Sequence, residues 1–538
     1  MDIFDVSADG HDAESPQGGG FYADDVPFRS GVIQEQSPPR MAYIAALNGF
    51  NPPRPEGHFR YCDLGCGNGT TLNALAAVYP EAEFVGIDFN QGHIAHAREW
   101  AERAGLSNVR FVQASFTELA GHDLPSFDFI GMNGIYSWLE GDPLSAVHRF
   151  LADHLRPGGL FYVEYMCMPG MIAVVPMWQL MQALVPDTGG SSHERATRAL
   201  RLLEELTGGG MGYLQKHETA RRAVRGYLQD WQRNEHRVDH FAHNALASGF
   251  KPRFVTEMCD EMASAGLVFG GRAAVRLNDP ELSVGTQQLS VLRGVEDRQT
   301  RELLTDFTRN ERNRRDVFVM GGEPDPEGAK AFLLDDVRML CRRPAAAASR
   351  KLTAPGDREI TLEGPGYDRL IAGFDGAART PREVEMPEPV SDETLITAAH
   401  RLYATGEYFL CRKTIYDADW RDVPERLSMP LAMNRILLDN SIAEFRGNQM
   451  VAEATGGAAI WLGPLEAFGV WAWLETGRGG AADVLVQRFA ERDEKVTVSG
   501  KSVPLNSLAK GQIEQLLVRL GRGKLRNMLR LGIVTAAD

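Results

Sequence analysis

The stretch Phe59-Arg-Tyr-Cys-Asp-Leu-Gly-Cys-Gly-Asn-Gly-Thr70 passes from an apolar run into three alternating glycines and then into residues of helical pattern. Few folds accommodate that order. It reads as a strand, a tight turn and a helix start, the unit that opens a nucleotide site in α/β proteins. Gly65, Gly67 and Gly69 can take positive φ and bring bare backbone up to a ligand. Their spacing is Gly-x-Gly-x-Gly with Thr at position 70, so the dinucleotide fingerprint Gly-x-Gly-x-x-Gly is not met. Asp63 sits at the end of the first strand. A second strand, Glu83-Phe-Val-Gly-Ile-Asp88, ends on another carboxylate at the offset of about 20 residues where such proteins hold a ribose diol. The helix beginning near Thr70 offers free amides to a ligand carboxylate. Asp63 suits a cationic group, and Asp88 suits two ribose hydroxyls.

The pattern that follows keeps the rhythm of a doubly wound, mostly parallel sheet. A helix is expected over Gln91 to Ala104, a strand over Val109 to Gln113, and then the base-binding stretch Ala114-Ser-Phe116. A fourth strand, Phe127 to Met132, runs into Asn133-Gly-Ile-Tyr-Ser-Trp138 at the sheet edge where ligands sit. A helix from Leu144 to Leu155, the turn Arg156-Pro-Gly-Gly159 and the strand Leu160 to Tyr165 are expected to complete the core.

At 538 residues the chain exceeds what one hydrophobic core usually supports, so several domains are expected. No run is long and apolar enough to span a bilayer, and the N-terminus lacks the order of a secretory signal, so a cytoplasmic protein without membrane insertion is expected. The net charge of −15 disfavours nonspecific binding to nucleic acid. The six cysteines form no Cys-x-x-Cys pair, and His93 and His96 have no third ligand in view, so no metal is expected. Met171 to Tyr227 is helical in pattern, and another helix is expected over Thr300 to Arg315. It carries Arg309, Arg312, Arg314 and Arg315 as a basic face that pairs with acidic groups of the same chain. An apolar aromatic helix over Ile460 to Leu474 reads as the core of the last domain or a homodimer contact, and a basic helix follows around Lys510 to Arg530.

Four stretches resemble the signature of one family: Gly134-Ile-Tyr-Ser-Trp138, Tyr162-Val-Glu-Tyr165 with Pro169-Gly170, Ala242-His243 with Phe250-Lys-Pro252, and Arg314-Arg-Asp-Val-Phe-Val319. They are similar to bacterial class I S-adenosylmethionine-dependent methyltransferases with an appended methyltransferase regulatory domain, a group that includes the rickettsial lysine methyltransferases of outer-membrane proteins. The resemblance implies a Rossmann-like core with an N-terminal lid over 1–178, a helical regulatory or dimerisation region over 179–325, a winged-helix-like domain over 326–430 and a helical domain over 431–538. It implies S-adenosylmethionine as cofactor, held by Asp63, Gly65, Cys66, Gly67, Asn68, Gly69, Asp88, Phe89, Ser115, Phe116 and Asn133. Tyr136, Tyr165 and Glu164 are the expected catalytic residues, and Tyr22 and Trp138 the expected acceptor contacts. Where the family's lid reads Gln-Thr-His-Pro, this sequence has Glu35-Gln-Ser-Pro38. The implied activity is methylation of protein lysine; methylation of a small metabolite or peptide, and a cofactor-sensing binding protein, are the alternatives.

Overall fold

The computed structural model describes residues 31–537 apart from 187–189, 234–237, 248, 413–422, 493 and 499–500. Tyr22 lies outside the described residues. Five runs bounded by turn residues form the parallel part of one sheet: β1 (Arg60–Leu64), β2 (Glu83–Asp88), β3 (Val109–Gln113), β4 (Phe127–Met132) and β5 (Leu155–Met166). Helices α1 (Pro38–Leu47), α2 (Thr70–Val78), α3 (Gln91–Arg103) and α4 (Gly141–His154) precede or connect them. β1, β2 and β4 are apolar on both faces because both faces are covered, which is why they read as continuous runs in the sequence. Local chemistry sets the helix starts. Two prolines open α1, and the Asn90 side chain caps α3 by accepting from His93 N at 3.1 Å.

The sheet is not complete at β5. Its order is β3-β2-β1-β4-β5-β7-β6, where β6 (Leu267–Arg272) and β7 (Asn313–Met320) come from the region expected to be separate and helical. β7 runs antiparallel to β5, from Leu160 against Val319 to Met166 against Asn313, and β6 runs antiparallel to β7. About a hundred residues of mainly helical chain are inserted between β5 and β6, so the sequence rhythm that reveals β1 to β5 is interrupted before the last pair.

Three further expectations change. The segment Arg156-Pro-Gly-Gly159 lies inside β5 as an irregularity, with Gly158 at φ +77° and a register shift against β4. The helix expected over Thr300 to Arg315 ends at Arg309, because Asn310 adopts φ +51° and the chain turns into β7. Arg314 is therefore interior, not on a basic face: it is 2% exposed and donates to Asp306, Asp316 and Glu302. Ile460 to Leu474 is not one helix either. Gly457–Leu462 is a strand paired with Asn448–Ala452, and the helix starts at Pro464, where proline suits a first helical turn.

The two faces of the sheet bury different partners. Tyr61, Phe129, Tyr162 and Val317 pack on the side of α1, together with the C-terminal part of the chain. Cys62, Ile130, Phe161, Val163 and Phe318 pack with Met258 and Met262 of the helix Val255–Ser264. A third apolar cluster joins the helices between Met171 and Leu246. Among the described residues no helix is long and apolar enough to cross a membrane.

Candidate functional site

The chain winds outward through β1, β2 and β3, then returns to lay β4 on the other side of β1. A crevice therefore opens at the carboxyl ends of β1 and β4. The glycine turn occupies it. Gly65, Gly67 and Gly69 have φ of +71°, +54° and +70°, and the amides of Gly65 and Cys66 bond to Ile87 O at 2.7 and 3.0 Å, which locks the turn to β2. Protein packing demands two of these glycines. A Cβ on Gly65 collides with Ile135, and one on Gly69 stands 2.6 Å from Ala97 Cβ and 2.9 Å from Phe111. Asp88 Oδ2 accepts from Gly67 N and Oδ1 from Asn90 N, each at 2.9 Å, with His93 Nδ1 3.4 Å from Oδ1. Each carboxylate oxygen has lone pairs to spare for a diol. Asn68 Oδ1 accepts from the Thr70 hydroxyl at 2.9 Å. Phe89 is 44% exposed beyond β2, Phe116 lies half-buried near Gly65, and the Ser115 hydroxyl donates to Glu118 at 2.7 Å in a helix cap. The Ser115 hydroxyl is thus engaged within its own turn.

Residues 31–37 fold over this turn. The Thr71 hydroxyl donates to Gly31 O and accepts from Ile33 N, both at 3.1 Å, while the Tyr61 hydroxyl donates to Gln36 O. Gln36 Nε2 donates to Asp63 Oδ1 at 3.2 Å, so the lid position that departs from the family pattern touches the acidic end of β1. Asp63 is 5% exposed. Burial pushes its carboxyl up to about 7; the Gln36 hydrogen bond opposes this and the charge of Asp88 adds to it. A buried carboxylate held by an amide and facing a second carboxylate fits a cationic ligand. The sign follows from linkage. With its folded pKa raised, Asp63 contributes stability below its unfolded value of about 4 that is lost as pH rises through about 7, and a bound cation reverses this by favouring the ionised form. Cofactor affinity should therefore rise by roughly tenfold between about pH 5.5 and 7, and Asp63→Asn should flatten that profile. Isothermal calorimetry across the range checks both.

The expected catalytic residues divide. Tyr136 does not reach the crevice. It is fully buried, its hydroxyl donates to Glu261 Oε2 at 2.7 Å and lies 2.9 Å from His148 Nε2, and the Arg253 guanidinium sits 4.7 Å from its ring centre. Burial, then the charge of Glu261, raises its phenol pKa. Tyr165 is also buried and donates to Asp316 Oδ2 at 2.8 Å. Trp138 packs against Phe250 with ring centres 5.3 Å apart, at the edge of the helical cluster. Tyr136 and Tyr165, expected in the chemistry, thus lie in the core, and Trp138, expected as an acceptor contact, lies half-buried against Phe250.

Glu164 is placed differently. It accepts from Asn313 Nδ2 at 2.8 Å, faces Arg315 Nε at 3.5 Å, and lies beside Gly134. On the same face of β5, two residues away, the Tyr162 hydroxyl donates to Asn133 Oδ1 at 3.0 Å. Arg315 also pairs with Glu35 of the lid at 3.4 Å. Tyr162 is fully buried in the cluster on the side of α1, with only its hydroxyl turned to Asn133. Strand periodicity puts Tyr162 and Glu164 on one face of β5 and Tyr165 on the other.

Asn133, Glu35 and Arg315 line a cavity of about 1120 Å³ that lies between the lid, the loop after β6 and the C-terminal part of the chain. Arg40, Arg276, Arg309 and Arg342 share its wall.

Residues 55–207 match the family model of a methyltransferase domain, and residues 238–320 that of a predicted methyltransferase regulatory domain. The second match takes in β6 and β7. An uncharacterised protein of Synechocystis sp. is 32% identical over 300 residues, which cover 56% of this chain and 58% of that protein. A trans-aconitate 2-methyltransferase of Deinococcus radiodurans is 36% identical over 128 residues, 23% of this chain and 44% of that enzyme. Among solved structures, PKMT2 from Rickettsia typhi in complex with AdoHcy superposes with a TM-score of 0.62 at 15% identity, over 95% of this chain and 100% of that one, which shows a shared fold.

Proposed function

We propose that the chain, whose residues 55–207 match a methyltransferase domain and 238–320 a predicted methyltransferase regulatory domain, transfers a methyl group from S-adenosylmethionine to a lysine side chain of another protein. The observation that carries the cofactor reading is the pair of carboxylates at the β1/β4 crevice. Asp63 is buried under the lid without a cationic partner among the described residues, and Asp88 is fixed to the glycine turn. The AdoHcy complex of the structurally similar PKMT2 supports it. Bound there, the cofactor supplies an electrophilic methyl group.

The chain's own residues supply alignment. Gln36 and Tyr61 hold the lid over the end of β1, and Asn133 and Tyr162 define the far side of the crevice. Glu164 and Glu35, bridged by Arg315, form an acidic spot that can receive an ammonium group. A lysine must be neutral to react. From a pKa of about 10.4, deprotonation near pH 7 costs roughly 4–5 kcal/mol, and positioning offsets this, being worth about 7–11 kcal/mol in aligned systems. Glu164 orients the amine by accepting from it, and the proton leaves to water in the cavity. In this reading the chain divides near 178, 325 and 430, with the second unit lending β6 and β7 to the sheet of the first.

A small polycarboxylate acceptor is the second reading, favoured by the similarity to trans-aconitate 2-methyltransferase and by the arginines of the cavity. Radiolabelled S-adenosylmethionine incubated with the protein and fractionated lysate separates the two: label in a protein band supports lysine, and label confined to small molecules overturns it. Asp88→Ala should weaken cofactor binding about tenfold to a hundredfold, since a hydrogen bond to a charged group is worth about 1.5–3 kcal/mol. Unchanged affinity by calorimetry removes Asp88 from the site.

A further inference from the structure

The wall of the large cavity is charged in the opposite sense to the protein as a whole. The chain carries a net charge of −15, yet five arginines and one carboxylate, Glu35, line this space. The arginines come from separate places: Arg40 from α1, Arg276 from the loop after β6, Arg309 from the helix before β7, Arg315 from β7, and Arg342 from the C-terminal part of the chain.

Their pairing is uneven. Arg315 and Arg40 share Glu35, at 3.4 and 3.8 Å, and Arg309 meets Glu311 at 3.0 Å. Arg276 is exposed and donates to the Thr353 carbonyl, with no carboxylate at ion-pair distance among the described residues. Arg342 stacks 4.1 Å over the Phe409 ring, and its buried Nε has no hydrogen-bond partner among the described residues. Guanidinium groups left without anions at the wall of a concave, partly desolvated space draw anions to it.

Size decides what kind of anion. Pockets for single small molecules run to about 300–1,000 Å³, and this cavity reaches about 1120 Å³ with its arginines spread over several elements. A chain of repeated carboxylates reaches all of them, whereas one small acid meets only a few. At one end the two carboxylates Glu35 and Glu164, both paired with Arg315, stand near Asn133 and Tyr162.

We propose that the cavity is a docking cleft for an acidic stretch of polypeptide, in which carboxylates pair with the arginine wall and a single basic side chain between them competes with Arg315 for Glu35 and Glu164. This rests on the methyltransferase reading for what happens at that end, but not for the binding itself.

The test uses the full chain and a labelled twelve-residue peptide of glutamates around one lysine, followed by fluorescence anisotropy. A peptide with glutamine in place of each glutamate and the free tricarboxylate citrate are the controls. The glutamate peptide should bind at low ionic strength at least tenfold tighter than the glutamine peptide and weaken as salt rises from about 50 to 500 mM. Arg276→Glu, at an exposed position, should cost at least about fivefold in that affinity and leave AdoHcy binding by calorimetry within about twofold. Arg342→Gln should also weaken the peptide, with thermal unfolding confirming a folded chain. Equal binding of the two peptides, insensitivity to Arg276→Glu, or binding of citrate without the glutamate peptide overturns the proposal. Peptide binding retained in a protein that binds no AdoHcy upholds the cleft and overturns the methyltransferase reading instead.

Discussion

A chain ending at Gly170 should aggregate on expression, although it contains every motif of the cofactor site. β5 lies between β4 and β7, and removing β7 strips its partner along the whole length from Leu160 to Met166. The result is a long, apolar, unpaired strand edge, which is the feature natural sheets avoid exposing. The loss is not confined to the ladder. Tyr165 loses the carboxylate of Asp316, and Phe161 and Val163 lose Phe318 and Met258. A chain ending near residue 322 restores β6 and β7 and should be markedly more soluble. Size-exclusion chromatography and circular dichroism of the two truncations decide the matter. A soluble, folded 1–170 fragment shows that the sheet closes without its last two strands.

Glu261→Ala should be among the most destabilising single substitutions in the core domain, costing about 3–5 kcal/mol. Arg253 has a side chain with 0% exposure, and its Nε donates to both oxygens of Glu261, at 3.0 and 2.8 Å. Its remaining donors reach carbonyls of Tyr136, Leu139 and Lys251, which cannot neutralise it. Removing the carboxylate therefore strands a buried cation. The same substitution frees the Tyr136 hydroxyl. Because Tyr136 donates to Glu261, it must accept from His148, and burial lowers the His148 pKa so that a neutral ring bearing its proton on Nε2 completes the chain. Tyr136→Phe should cost about 1.5–3 kcal/mol in urea unfolding and leave cofactor affinity unchanged. A large fall in turnover without a fall in stability returns Tyr136 to the chemistry.

Short apolar runs bounded by turn residues made β2, β3 and β4 readable to the residue, because a buried parallel strand has no other way to look. The carboxylates at the ends of β1 and β2 were legible for a related reason: each follows directly on such a run. β6 and β7 were not. The stretch at 300–315 has helical periodicity up to Arg309, and what stops it is the left-handed conformation of Asn310, a choice that tertiary pairing with β5 enforces. The run Ile460 to Leu474 is apolar throughout, so neither period shows, and only Pro464 marks where strand gives way to helix. The orientation of Tyr136 was not legible, because position in the chain beyond β4 says where a loop starts but not which way its side chains turn. Tyr136 turned inward to Glu261 on a helix 125 residues later, a partner no local pattern announces.

The lid has an outer wall made late in the chain. Val32 N donates to Asn448 Oδ1 at 3.5 Å, and Gly457 lies so close to Ser37 that a Cβ would stand 2.8 Å from Ser37 Cβ. On a ribosome, roughly 360 residues separate the completion of β2 from the emergence of Asn448, or roughly 20–70 s at ~5–20 residues/s. Through that interval the nascent chain already has its glycine turn, both carboxylates and the lid's bonds to Thr71, Tyr61 and Asp63, but the lid has no outer wall behind it. A translation product that stops short of Asn448 and Gly457 thus carries a lid without its outer wall, and the finished site exists only in molecules made beyond those residues.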